Sequence, residues 1–124
     1  MTSHTQRTLK ELRRQGCMCA IAERWIPNPK HPGGGFRKDL FGFIDVLALT
    51  PRGRILAVQS CGSSFSEHRR KLFGECRDVV AEWLNCGGLV ELWGWRKVVK
   101  ERGSKVRIWR PRVERITAET LKEV

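Results

Sequence analysis

Apolar residues recur along this chain first at helical and then at strand spacing. Leu9 and Leu12 stand three apart within Thr5 to Gln15, a run of helix formers closed by Gly16, and this predicts a first helix. Cys17 to Ile26 reads as a strand ended by Pro27. Three prolines and three glycines interrupt residues 27–35 and predict a mobile loop. Asp39 to Leu49 and Arg54 to Ser60 read as the arms of a hairpin turning at Thr50-Pro51-Arg52-Gly53. Gly62-Ser63-Ser64 breaks the second arm. Ser66 is then the predicted N-cap of a second helix, with Glu67 in its first turn and Leu72, Phe73, Cys76, Val79, Val80, Trp83 and Leu84 at helical spacing up to Asn85 to Gly88. Leu89 to Lys100 and Lys105 to Arg112 predict a second strand pair, and Thr117 a cap for a short terminal helix. The order α-β-β-β-α-β-β implies an α/β domain, residues 1–124, whose mixed β-sheet is flanked by helices.

One position breaks the pattern. Asp45 places a carboxylate inside the apolar run Gly42-Phe43-Ile44-Asp45-Val46-Leu47-Ala48-Leu49. A buried carboxylate left unpaired costs several kcal/mol, on the order of what one cation ligand offsets. The next arm, Ile55-Leu56-Ala57-Val58-Gln59-Ser60-Cys61, brings an amide, Gln59, to the same end of the strand pair. Oxygen donors suit a hard divalent cation, with the Asp45 carboxylate, the Gln59 side-chain carbonyl and the Ser60 backbone carbonyl as ligands. The alternative for Asp45 is a turn cap or a pair with a buried arginine.

Charge narrows the partners. With 24 Lys and Arg against 13 Asp and Glu, the 124 residues carry a net charge of +11, an excess that favours phosphate-rich partners. DNA is the expected partner. No apolar run reaches the roughly 18 to 20 residues of a membrane span, and the polar opening residues lack a secretion-signal core, so a cytoplasmic protein is expected. Five cysteines, at 17, 19, 61, 76 and 86, have no paired spacing and read as free thiols.

The sequence Gly-Phe-Ile-Asp-Val-Leu-Ala-Leu, followed by Ala-Val-Gln-Ser-Cys and then by Trp83-Leu84 and Gly87-Gly88-Leu89-Val90-Glu91-Leu92, resembles the PD-(D/E)XK nuclease superfamily. The likeness is to its small Holliday-junction resolvases and phage nucleases, over roughly residues 5–110. It implies a restriction-endonuclease-like fold, Mg2+ or Mn2+ as cofactor, a homodimer, and cleavage of phosphodiesters in branched or end-bearing DNA. Asp45 and Gln59 then fall on the motif's acidic positions, although the family usually has Glu at the second. Cys61 stands at the motif's lysine, and a thiol cannot act as that cation. Superfamily members can carry the lysine on a neighbouring helix, which makes Lys71 its substitute, with Arg69 and Arg70 behind it. Glu11 is the one first-helix carboxylate that could match the extra acidic ligand of some resolvase-like relatives. With both Glu and Lys replaced, a catalytically degenerate nucleic-acid-binding module of the same fold is the alternative.

Weaker signals stay open. The run His68-Arg69-Arg70-Lys71 suits either phosphate contact or a solvated helix face. Arg37 and Lys38, after Gly33-Gly34-Gly35-Phe36, either close over a DNA backbone or end a plain linker. Neither zinc-ligand spacing nor an orienting partner for a Cys61/His68 nucleophile pair is present. Trp93, Trp95 and Trp109, set among late-strand cations, either stack on unpaired bases or fill the core.

Overall fold

In the computed structural model, which describes residues 2–123, the chain forms a mixed five-stranded sheet with helices on both faces and a separate two-stranded hairpin. The elements are α1 (His4–Arg14), β1 (Met18–Ile21), β2 (Arg24–Pro27), β3 (Gly35–Lys38), β4 (Val46–Leu49), β5 (Ile55–Cys61), α2 (Phe65–Phe73), α3 (Arg77–Asn85), β6 (Leu89–Val99), β7 (Arg107–Ile116) and α4 (Ala118–Glu123). The sheet runs β1-β4-β5-β6-β7. β5 and β6 are parallel and joined through α2 and α3; the other neighbours are antiparallel.

Alternation along the central strands splits the core in two. Val46, Ala48, Leu56, Val58, Trp93 and Trp95 meet Leu9 and Leu12 of α1. Ala57, Cys61, Val90 and Leu92 face Phe65, Leu72, Phe73 and Val80 of the α2–α3 crossover. Thr8 is the polar member of the α1 layer. It is fully buried, and its hydroxyl meets Ser60 Oγ at 2.8 Å and accepts from Trp95 Nε1 at 2.8 Å, so no polar atom there is stranded.

Four sequence-based boundaries move, each for a physical reason. The strand expected over 17–26 divides into β1 and β2, because β4 begins only at Val46 and offers nothing opposite the residues after Ala22. β2 pairs with β3 instead, so Pro27 and Gly35, expected in a loop, close the inner end of a hairpin tip. The arm expected over 39–49 is a strand only over 46–49. Before it, Leu40 to Ile44 form a tight turn in which Phe41 (φ 54°) and Gly42 (φ 82°) both take the left-handed region. That conformation is strained for phenylalanine, by roughly 1–3 kcal/mol, and redirects the chain by 180° in a few residues.

The helix expected from Ser66 begins at Phe65, with Ser64 at the cap position and no side-chain cap bond. It breaks at Gly74, where a Cβ would lie 2.9 Å from Arg70 O, and restarts at Arg77. Thr117 does cap the terminal helix, its hydroxyl accepting from Thr120 N at 3.2 Å. Trp93 and Trp95 are core residues, while Trp109 stays exposed. All five cysteines are free thiols. No helix among the described residues is long and apolar enough to cross a membrane.

Candidate metal centre

Register alone brings the site together. Continuing the β4–β5 pairing one residue beyond Val46↔Val58 sets Asp45 opposite Gln59, and continuing β1–β4 beyond Ile21↔Val46 sets Ala22 opposite Asp45. Ala22 N donates to Asp45 O at 2.8 Å, as that register requires, while Asp45 N donates to Val58 O at 2.9 Å, so Asp45 shares Val58 with Val46 in a bulge and sits beside Gln59 rather than squarely opposite it. Glu23 is thereby delivered beside Asp45 on one flank. On the other, the Leu40–Ile44 turn folds Asp39 back over the same point. One carboxylate oxygen from each of Glu23, Asp39 and Asp45 lies within 4.8 Å of the others, the only such trio among the described residues.

The cluster is deep and under-satisfied. Asp45 is 6% exposed and Gln59 2%. Asp45 Oδ2 accepts from Ser60 N at 2.7 Å, which favours the charged form. Burial, a hydrogen bond to Asp39 and the nearby charges of Asp39 and Glu23 outweigh that bond and push Asp45 up to about 8. Gln59 Nε2 donates to Asp39 Oδ2 at 3.3 Å, while Gln59 Oε1 is buried without a hydrogen-bond partner. An orphaned buried carbonyl costs about 1–3 kcal/mol. Three carboxylates and one unengaged amide oxygen form an all-oxygen donor set of the kind magnesium, manganese or calcium takes, and the residues present fit such an ion.

Around this centre the basic residues divide. Arg37 Nη1 donates to Glu23 Oε1 at 2.9 Å, so it supplies a counter-charge inside the site. Lys38 stands directly across the hairpin from Arg24, and both border a cleft of about 460 Å³ that Asp39 also lines. Like charges directly opposed on a strand pair are destabilising unless an anion joins them. Lys71 is half-buried on α2, and the Cys76 thiol is within electrostatic reach of both Lys71 and Asp39, which puts the ammonium on the cluster's side of the sheet. Arg69 bonds Glu114 at 2.9 Å and lies over the Phe73 ring, whereas Arg70 is exposed.

Of the residues singled out from sequence, Asp45 and Gln59 are brought together. Ser60 contributes its N–H to Asp45 and turns its hydroxyl to Thr8 on the opposite face. Glu11 is outside the cluster and bonds Arg14 at 2.8 Å. Cys61 lies near Asp45, and burial together with that carboxylate pushes its thiol up to about 11, so it is neutral at ordinary pH. Glu23, Asp39 and Arg24 were missed. Their signal is faint: an isolated acid next to an apolar run, legible only once Ala22 is known to pair with Asp45. Comparisons of the chain with protein-family models, curated proteins and solved structures find no match in any of the three.

Proposed function

We propose that this protein is a divalent-metal-dependent DNA endonuclease of the PD-(D/E)XK kind, acting on branched or end-bearing DNA. The observation that carries the reading is the Glu23–Asp39–Asp45 trio with the orphaned Gln59 carbonyl beside it, set in a chain of charge +11. The strand order also supports it, since a three-strand antiparallel meander followed by a helical crossover to a parallel strand is the arrangement that the resemblance implies.

In this reading Asp45, Asp39 and Glu23 hold Mg2+ or Mn2+, with the Gln59 carbonyl and the Ser60 main chain beside them. Such a cation neutralises phosphodiester charge and lowers the pKa of water. Arg24 and Lys38 grip a phosphate at the cleft. With Glu23 committed to a cation, Arg37 would be free for the DNA backbone, and Arg70 would extend that contact along α2. Lys71 faces the charge that develops on the scissile phosphate, the part Cys61 cannot play. A four-way junction is two-fold symmetric, so cleavage of that substrate requires a homodimer with paired sites.

The neutral Cys61 favours one second reading, a non-catalytic DNA clamp with the same fold. Cleavage assays on linear, single-stranded, flapped and four-way DNA separate the two. Nicking that needs magnesium or manganese and disappears in Asp45→Asn is expected of the nuclease. DNA binding that is indifferent to chelator, with no product under either metal, identifies the clamp.

A further inference from the structure

A second basic surface lies on the α1 face of the sheet, across the sheet from the α2–α3 layer. There α1 and β7 leave a groove of about 680 Å³ bordered by Arg7, Lys10, Glu11, Arg14, Trp109 and Arg110. Its one acid is already neutralised, because Glu11 bonds Arg14 at 2.8 Å. Arg7, Lys10 and Arg110 have no carboxylate partner among the described residues.

Trp109 is the groove's aromatic element. It is 38% exposed, unlike its core neighbours Trp93 and Trp95. The Arg7 guanidinium lies 4.0 Å from its ring centroid, and Lys97, its cross-strand partner, 5.4 Å away. The guanidinium covers one face of the ring, so the pair forms a stack whose outer plane is cationic. Bases of a single strand expose their faces for stacking on such a plane, and its phosphates need the surrounding cations; a duplex hides those faces.

Position ties this groove to the carboxylate end of the sheet. The His4 ring packs against Trp109 with centroids 5.4 Å apart, and the same ring covers Gly62, where a Cβ would lie 2.6 Å from its Nε2. Gly62 directly follows Cys61, the last residue of β5 and two residues past Gln59. The groove therefore opens beside the end of β5 at which Asp45 and Gln59 meet.

We infer that the α1–β7 groove binds single-stranded DNA, stacking a base on Trp109 and Arg7, so that the substrate carries an unpaired segment next to the scissile duplex. This rests on DNA being the partner, and it names the part of the substrate that the surface takes.

The test is equilibrium binding with chelator present, by fluorescence anisotropy, of labelled oligo(dT) and of a duplex of equal length. Trp109→Ala should weaken oligo(dT) binding by roughly 5- to 100-fold and duplex binding by less than about twofold. Trp109→Phe should keep most of the affinity, and Trp25→Ala, at an exposed tryptophan on the β2–β3 hairpin, should leave it unchanged. Equal losses on both DNAs, or no loss on oligo(dT), overturn the inference. So does polyglutamate displacing oligo(dT) at matched charge concentration, which would mark an acidic polypeptide site. Since no cation is present, a strand preference that survives alongside absent cleavage rejects the nuclease reading alone.

Discussion

The amide N–H of Ser60 donates to Oδ2 of Asp45 across 2.7 Å, and among the described residues this bond is the only one the main chain offers a carboxyl crowded by two others. A single donor cannot offset burial and two like charges, so Asp45 keeps a proton that an exposed aspartate would lose. Under the proposed function a bound cation would take the place of that proton.

The first prediction concerns pH. An aspartate ionises near 3.8 when unperturbed and near 8 in this site, so across that interval the folded chain binds a proton that the unfolded chain has released. Stability attributable to Asp45 therefore falls as pH rises through the interval and is level above it. With chelator present, Asp45→Asn should melt above the parent protein at pH 8, and the gap should close toward pH 4. Thermal melts by circular dichroism at several pH values measure it; a gap independent of pH would contradict a protonated Asp45.

A second concerns Gln59. Replacing it by Glu puts a fourth carboxylate into the trio, which should lower the melting temperature in chelator and raise magnesium or manganese affinity by about tenfold, with cleavage kept or increased. Calorimetric titration checks both signs. Unchanged metal affinity would remove Gln59 from the ligand set.

The missing lysine gives a third. Lys71→Ala should reduce cleavage by roughly ten- to a thousandfold, the range for one lost transition-state contact, while DNA affinity stays nearly intact. Cys61→Ala should be almost silent, because its thiol is neutral. Single-turnover rates on a flapped substrate decide it, and an inactive Cys61→Ala beside an active Lys71→Ala would reverse the assignment.

The fourth tests the hairpin. A Cβ on Gly35 would lie 2.5 Å from Ile26 O and 2.6 Å from the Trp25 ring, too close for the β2–β3 pair to keep its spacing. Gly35→Ala should therefore splay the hairpin and shift Glu23 and Asp39, which flank it. Melting temperature in chelator should change little, since no core residue is touched, whereas the rise on adding magnesium should shrink markedly. A full magnesium response would show that the carboxylates hold their places without the hairpin.

Much of this was legible in the sequence, and the limits have physical causes. Asp45 and Gln59 could be placed together because both lie on one hairpin whose turn fixes register. Thr117 and the closing strand pair were likewise local. Glu23 and Asp39 were not, because each is set by what its neighbours lack: β2 leaves the sheet for want of a partner, and Asp39 is turned back by a residue, Phe41, in a conformation its type rarely adopts. The division of the long helix at Gly74 was hidden by apolar spacing that continues unbroken through the glycine. Arg69 read as either a phosphate contact or part of a solvated helix face, and its bond to Glu114, 45 residues away in sequence, spans a distance over which charge patterning carries no information.

The β2–β3 hairpin stands with Glu23 at one foot and Asp39 at the other, while residues 28–34 form its outer tip. Both feet are fixed by main-chain bonds, Ala22 to Asp45 and Leu40 to Ile44, that do not involve the tip. Changes of length or composition in the tip that keep the β2–β3 pairing therefore leave the carboxylates in place, much as the bit of a tool is exchanged without altering its shank. Under the proposed function, the tip is free to vary in what it contacts while the carboxylates keep their geometry.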